Sequence, residues 1–386
     1  MTPAPAKRLL LAATLVAALL PTAALAPPAG AAGGPAGPSI DAPAYTIVDA
    51  KTGEVLAANA AHAHRAIASI TKLMTVLVVL EQKRPGDIVD VDPRATAVGE
   101  SSVELRPHER LSVSDLLKAT LIQSANDAAD ALALSVAPSF TAFAALMNEK
   151  ARELGLRDSH FVRPDGLDAP GEYSSAADVT TLARRVMRNR LVRRIVALTT
   201  TTIAGGRTLH TWDDLLGRVP GLLGGKTGHT DSAGWCEVAA VRGRGVTVYA
   251  TVLGGSTRSV RNAELSSLLA WGLTQFRNVD AIDATRAYAS VELPYGRAPL
   301  ELVATRPLQL VARVGRPLTE RIVAPTAVTL PVTDGERLGT VEILRDGRLV
   351  GSRPLVASRS VARPGVPGRL RWYTTRTLHH LRNIFP

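Results

Sequence analysis

The sequence predicts an α+β domain followed by a small β-sandwich-like domain. Strand-like hairpins stand at both ends of a segment whose apolar residues recur at helical spacing. Near Ser290 the texture changes to short strands separated by Gly, Pro and Asp turns. The two hairpins are expected to share one antiparallel sheet, with the helix carrying Ser69 packed on a face of it. A chain of 386 residues has room for two or three domains and a real core. Its 46% hydrophobic and 20% charged content is ordinary for a soluble globular protein.

Residues 1–31 read as a secretory signal, with Lys7 and Arg8 as the charged region and Leu9 to Leu20 as an apolar run too short to span a membrane. Ala29-Gly30-Ala31 suits a signal peptidase better than Ala24-Leu25-Ala26, which Pro27 follows directly. A retained N-terminal anchor is the other reading of this stretch. Residues 32–43, rich in Gly, Pro and Ala, read as a flexible linker. The first domain is expected over 44–280. Ala44 to Asp49 and Glu54 to Ala58 make its first hairpin around Lys51-Thr52-Gly53. After Ser69 an apolar helical run covers Ile70 to Leu80, and Asp87 to Asp92 alternates as a short strand. Val98 to Leu111 is a loop-rich excursion. Ser114, a plausible N-cap, opens one long helix to Val136 on the spacing of Leu116, Leu117, Leu121 and Leu132. Further helices are expected over Phe140 to Leu154, closed by Gly155, over Ser175 to Asn189, and over Arg261 to Phe276. Gly221 to Gly225 read as backbone that approaches a ligand closely. Gly234 to Val241 and Val246 to Leu253 make the second hairpin.

The second domain is expected over 288–360, with strands at Val291 to Leu293, Leu302 to Ala304, Leu308 to Leu310, Ala327 to Leu330, Val341 to Ile343 and Leu349-Val350. No catalytic constellation stands out in it. The tail, 361–386, carries Arg363, Arg369, Arg371, Arg376 and Arg382 with no acid in its last 24 residues. Leu370, Tyr373, Thr377, Leu381 and Ile384 fall on one helical stripe, which suits a basic amphipathic helix on an anionic membrane. A disordered basic terminus is the alternative.

The net charge of +11, or +9 without Lys7 and Arg8, suits an anionic partner such as a membrane surface or a cell-wall polymer. Nucleic acid is not expected: no binding module is recognisable, and 4% aromatic content gives few stacking platforms. Cys236 is the single cysteine, which excludes an internal disulfide. No G-x-G-x-x-G, Walker sequence or metal-ligand spacing is present, so no cofactor or metal is expected.

Three short stretches carry the chemistry. In Ser69-Ile70-Thr71-Lys72, a helix after Ser69 brings Lys72 back to the serine's side one turn on. A desolvated lysine near other cations can lose its proton and act as the hydroxyl's base. Alone, the pattern reads as a capping serine with a solvated lysine. Ser124-Ala125-Asn126 sits within an apolar helical run, where small polar residues can simply bond back to the helix. Asn126-Asp127 crowds polarity there, which better fits a distorted helix end opening on a cleft. Lys226-Thr227-Gly228 follows the glycine-rich run. Taken together, these S-x-x-K, S-x-N and K-T-G stretches occur in the order used by serine enzymes that react with penicillin.

With these residues, the chain resembles the low-molecular-mass penicillin-binding proteins of the serine D-alanyl-D-alanine carboxypeptidase family. Ile67 to Thr75, Gln123 to Ala128, and Lys226 to Thr230 followed by Ala233-Gly234 match its three motif segments. Arg261, ahead of Leu268-Leu269-Ala270-Trp271-Gly272, matches its carboxylate-binding arginine. The resemblance implies a penicillin-binding/β-lactamase-like transpeptidase fold and removal of the terminal D-alanine from peptidoglycan stem peptides ending in D-Ala-D-Ala. It implies catalytic roles for Ser69 as nucleophile, Lys72 as base and Ser124 as proton relay. It also implies that Asn126, Lys226, Thr227, Gly228, the His229 amide and Arg261 bind substrate, and that β-lactams acylate Ser69. Ile67, His108, Arg163 and Trp212-Asp213-Asp214 depart from the family pattern, the last two on the substrate side. A β-lactamase would need an added glutamate, and no E-x-x-L-N-like stretch follows Asn126. A non-catalytic wall-binding protein need not keep all five of Ser69, Lys72, Ser124, Asn126 and Lys226.

Overall fold

The two hairpins do share one sheet. β1 (Ala44–Asp49) and β2 (Val55–Asn59) form the first, turned where the Asp49 carboxylate accepts from the backbone N–H of Thr52 at 2.6 Å and from its hydroxyl at 2.8 Å. The computed structural model describes residues 37–384, so the expected signal lies outside the described residues. The chain divides into two compact units. One runs to Asn278 and takes in Val311–Gly315; the other holds Val279–Leu310 and the chain from Arg316.

In the first unit a 3₁₀ turn over Ala68–Thr71 precedes α1 (Lys72–Gln82). Ser69 therefore stands in this turn and does not cap the helix, which begins later than the apolar pattern suggests. β3 (Ile88–Asp90) and β4 (Arg110–Ser112) pair across the loop-rich excursion. The long helix expected from Ser114 to Val136 is two helices, α2 (Val113–Ile122), capped by Ser112, and α3 (Asn126–Leu134). Ser124 between them has a left-handed backbone, φ 62°. Leu116, Leu121 and Leu132 keep one spacing through the break because all three bury in the same core.

α4 (Phe140–Leu154) ends on Gly155 at φ 71°, as its sequence indicates. α5 (Ala176–Val186) is capped by Ser175. α6 (Arg190–Val196) and the short pair β5 (Thr200–Thr202) and β6 (Thr208–His210) fill the mixed stretch. The glycine-rich run is itself a strand, β7 (Leu222–Thr230), which pairs with β8 (Gly234–Gly243), and that with β9 (Val246–Gly255). The sheet order is β2-β1-β9-β8-β7. α7 (Arg258–Thr274) starts three residues ahead of Arg261, capped by Thr257.

Both faces of this sheet are covered. Val48, Val238, Ala240 and Leu253 join the core with α1, α2, α3 and α5. Their neighbours Ile47, Ala239, Val241 and Val252 pack on the opposite side with Leu265, Leu268 and Leu269 of α7. Adjacent strand residues point to opposite faces, so a central strand buried on both reads as continuous apolar sequence. β7 escaped that pattern because small residues make it. A Cβ on Gly225 would lie 1.8 Å from the Val238 carbonyl oxygen.

The second unit contains β11 (Ala287–Val291), β12 (Leu300–Ala304), β14 (Thr319–Val323), β15 (Arg337–Arg345) and β16 (Arg348–Ala357) in one five-stranded sheet, order β11-β12-β16-β15-β14. β10 (Phe276–Ile282) and β13 (Leu308–Arg313) make a two-stranded sheet. The strand expected at Ala327–Leu330 is instead a single bridge, Ala327 to Glu292, and β14 was not anticipated. Val291, Leu300, Leu302, Val341, Ile343 and Leu355 make its core. α8 (Val366–Ile384) places Trp372 edge-on to Tyr295, ring centroids 5.6 Å apart. No helix among the described residues is long and apolar enough to cross a membrane.

Gly225→Ala is expected to destabilise the first unit by about 3 kcal/mol or more, since backbone and not a flexible side chain blocks the added methyl. A urea-unfolding midpoint equal to wild type would contradict this close strand approach.

Candidate active site

The 3₁₀ turn, the break between α2 and α3, and β7 converge on one cleft of about 300 Å³, lined by Ser69, Ser124, Thr227, Gly228, His229 and Arg261 among others. A Cβ on Gly228 would sit 2.7 Å from the Ile67 carbonyl oxygen and 3.2 Å from the Ser69 nitrogen. The glycine thus lets β7 pass directly beside the Ser69 turn, a contact within the protein where the sequence suggested only an approach to ligand. Across that turn, a Cβ on Gly166 would lie 2.3 Å from the Ala68 carbonyl oxygen.

Lys72 is fully buried. Its ammonium donates to Ser69 Oγ at 2.7 Å, Asn126 Oδ1 at 2.7 Å and the Asp165 carbonyl at 2.6 Å. An ammonium has three N–H groups, so all are used. Burial lowers its pKa to about 8, against the raising effect of Asp165, Asp130, Glu100 and Glu172. Asn126 reaches this position because the left-handed Ser124 ends one helix and restarts the next. Its side-chain amide also donates to the Gly99 carbonyl at 3.0 Å.

The neighbouring Asp127 has a structural task. Its buried carboxylate accepts from Ser102 Oγ at 2.7 Å and from the Leu105 amide at 3.0 Å, which fastens the preceding loop. Lys226, also buried, donates to Ser124 Oγ at 2.8 Å and to the Thr227 carbonyl at 2.8 Å. Burial first, and then the charge of Lys72, hold its pKa well below the ordinary lysine value. His229 is exposed and lies against Trp235, with ring centroids 4.0 Å apart and planes tilted by 33°.

Arg261 lines the cleft with only 1% of its surface exposed. Its guanidinium lies 3.0 Å from the fully buried Glu237 carboxylate and over the Trp235 ring at 5.9 Å. Arg258 enters the same cleft, donating twice to Asp214 at 2.6 Å and lying 5.3 Å over Trp212. The Trp212-Asp213-Asp214 segment that departs from the family pattern therefore forms the wall holding Arg258. The other departure, Arg163, clamps the buried Asp165 carboxylate at 3.0 and 2.7 Å, on the residue whose carbonyl receives Lys72.

Sequence reasoning gave no role to the acids around these cations: Asp130, Asp165, Glu172, Asp213 and Glu237. Burial raises Asp130 to about 8 and Glu172 to about 7. The one signal that could have found Glu237 is a carboxylate within the apolar strand Trp235 to Val241. No group of acidic, histidine or cysteine side chains suited to a metal ion occurs among the described residues.

Known proteins resemble this chain over most of its length. The D-alanyl-D-alanine carboxypeptidase family profile matches residues 31–257, and that of the penicillin-binding protein 5 C-terminal domain matches residues 276–363. D-alanyl-D-alanine carboxypeptidase DacA of Escherichia coli (strain K12) is 31% identical over 366 residues, 90% of each chain. DacF of Bacillus subtilis is 28% identical over 338 residues, 84% of this chain and 87% of that one. The crystal structure of penicillin binding protein 6B from Escherichia coli aligns with a TM-score of 0.63 and 29% identity, covering 84% of this chain and 97% of that one. The chain belongs to the D-alanyl-D-alanine carboxypeptidase family of serine-type peptidases.

Proposed function

We propose that this protein acts outside the cytoplasm, removing the terminal D-alanine of peptidoglycan stem peptides through an acyl-enzyme on Ser69. Hydrolysis of that intermediate leaves a tetrapeptide that can no longer donate to cross-linking. The observation that carries the reading is the Lys72 ammonium, 2.7 Å from Ser69 Oγ and buried enough to titrate near 8. Once neutral, Lys72 takes the Ser69 proton as the hydroxyl attacks the penultimate D-alanine carbonyl. The N–H groups of Ser69 and His229 receive the oxyanion. Ser124, held on Lys226, passes a proton to the departing D-alanine nitrogen. Asn126 holds the substrate's amide side, and Lys226 supplies positive charge beside the cleft. Thr227 and Arg261 receive the terminal carboxylate.

β-Lactams present a carbonyl and a carboxylate to the same groups, so they acylate Ser69. Glu172 accepts from Thr71 Oγ1 at 2.9 Å and the Arg163 amide at 3.0 Å and borders a second cleft, whereas Glu100 borders the one that Ser69 shares with Ser124. The basic α8, with Leu370, Tyr373 and Leu378 exposed, lies on an anionic membrane surface.

D-Alanine release from a diacetyl-Lys-D-Ala-D-Ala peptide is expected from wild type and to fall about 10⁴-fold or more in Ser69→Ala. A fluorescent penicillin should label wild type stably and leave Ser69→Ala unlabelled; label lost within seconds would indicate a β-lactamase, and no label a wall-binding protein.

The rate constant kcat/KM should rise about tenfold per pH unit below the Lys72 pKa of about 8 and level above it, because the neutral amine is the working form. In Asp165→Asn an opposing negative charge is gone, so the Lys72 pKa falls and the limb moves to lower pH. An unmoved limb would remove Lys72 as its source.

Wild type should sediment with vesicles containing phosphatidylglycerol, and a chain lacking residues 369–386 should stay in solution. Equal bound fractions would sink the membrane contact.

A further inference from the structure

Beneath the arginine that lines the cleft lies a pair of acids that the reaction scheme above does not use. Glu237, on β8, stands directly across from Thr227 on β7 and is fully buried. Asp213, on the segment before β7, is buried as well. Asp213 Oδ1 accepts from the backbone N–H groups of Leu215 at 2.9 Å and Leu216 at 3.1 Å. Its Oδ2 and both oxygens of Glu237 have no hydrogen-bond donor among the described residues. Arg261 Nε lies 3.0 Å from Glu237 Oε2 without the alignment of a hydrogen bond. Nevertheless the two side chains are within hydrogen-bond reach of each other.

Two ionised carboxylates offer only acceptors, and a buried acceptor left without a donor is costly. One proton held between them satisfies both at once, as in other close carboxyl pairs. The charged groups facing Glu237 are Asp213 and Asp214 from the segment before β7, Arg261 from α7 and Lys226 from β7. Burial, reinforced by Asp213, lifts Glu237 well above the ordinary carboxyl range, and burial lifts Asp213 as well.

The Arg261 guanidinium is held on one side only. Its Nε and Nη2 both donate to Asn262 Oδ1, Nε at 3.0 Å, and Asn262 is in turn fixed by donating to Asp214 Oδ2 at 2.9 Å. Its Nη1 makes no hydrogen bond among the described residues. Were both acids ionised, two negative charges would face one guanidinium and oppose the approach of a third.

We propose that Glu237 is a positioning residue for Arg261: it shares one proton with Asp213, so the pair sets a single negative charge against the guanidinium and leaves Nη1 for the carboxylate of the departing residue. This rests on the carboxypeptidase reading, in which Arg261 receives that carboxylate. In this arrangement Glu237 never touches substrate. It keeps the arginine charged, oriented and not over-neutralised.

The test uses the full chain, with D-alanine release from the D-Ala-D-Ala peptide and infrared absorption of protonated carboxyl groups as separate readouts. Glu237→Leu, which can neither share the proton nor hold the arginine, should raise KM about tenfold while kcat changes less than threefold. Glu237→Gln imitates the protonated acid: its amide donates to Asp213 and its oxygen faces Arg261. It should bring KM back to within about twofold of wild type while removing one protonated carboxyl from the infrared spectrum at neutral pH. Asp213→Asn should remove one as well.

An unchanged KM in Glu237→Leu, or a loss confined to kcat, would overturn the positioning role. An undiminished count of protonated carboxyls in Glu237→Gln and Asp213→Asn would overturn the shared proton. That count decides even if the leucine variant does not fold. A wild type that releases no D-alanine would instead fail the carboxypeptidase reading, and the infrared result would still report on the acid pair.

Discussion

A lysine ammonium sealed from water dominates this fold. Taking an ammonium out of water costs several kcal/mol unless its donors are met. For Lys72 they are met from three directions: the 3₁₀ turn through Ser69, the start of α3 through Asn126, and a loop carbonyl through Asp165. Each partner imposes a local requirement. Asn126 can face Lys72 only because Ser124 adopts a left-handed backbone and breaks the helix. The Asp165 carbonyl can arrive only because Gly166 has no side chain to strike the Ala68 carbonyl. β7 closes the other flank because Gly228 lacks one too. Three irregular points of the first unit, Ser124, Gly166 and Gly228, thus lie around one nitrogen.

That dependence also explains what the sequence made legible. Strands β8 and β9 were readable because they bury on both faces and so run as unbroken apolar sequence. α4 and α5 were readable because Gly155 and Ser175 mark their ends by local chemistry. The break between α2 and α3 was only half readable. Polarity at Asn126-Asp127 signalled a distortion, but leucine spacing continued through it, since both helices press on the same core. β7 was unreadable as a strand because its small residues serve close approach and carry little apolar pattern. The three catalytic motifs were legible as a set because the reaction demands those residue types near one another in space. Their acidic surroundings were not. Whether Asp165 is buried depends on contacts made by elements far away in the chain, and no local pattern records that; Glu237 left only its place within an apolar strand.

The acids matter because the cleft gathers so many cations. Lys72 and Lys226 lie close enough that the charge of one depresses the pKa of the other. Arg258 and Arg261 add two guanidiniums to the same cleft. At the lysine end, Asp165 lies clamped by Arg163 and Asp130 is held near 8 by burial, so the field on Lys72 comes from a partly neutralised group of acids. Asp214 takes up Arg258 at the arginine end, with Glu237 beneath Arg261.

This arrangement divides the cleft by charge. In the proposed reaction Lys72 sheds its proton, which calls for weak stabilisation of its charged form, and burial with partly neutralised acids supplies that. Arg261, proposed to attract a carboxylate, calls for the reverse, a positive charge that is held but not cancelled. Neither Lys72, on α1, nor Arg261, on α7, belongs to the sheet, but its β7–β8 ladder reaches both ends. Lys226 and Thr227 are adjacent on β7, and Glu237 stands across from Thr227 on β8, so alternate side chains of a single ladder reach the two ends. The departing segment Trp212-Asp213-Asp214 and the buried Glu237 belong to the same end, where Asp213 and Glu237 lie within reach of each other and Asp214 holds both Arg258 and, through Asn262, Arg261. They therefore act as one unit. A change at any one of these acids leaves an unpaired buried charge on its neighbours, so substitutions there are expected to be tolerated together more readily than singly.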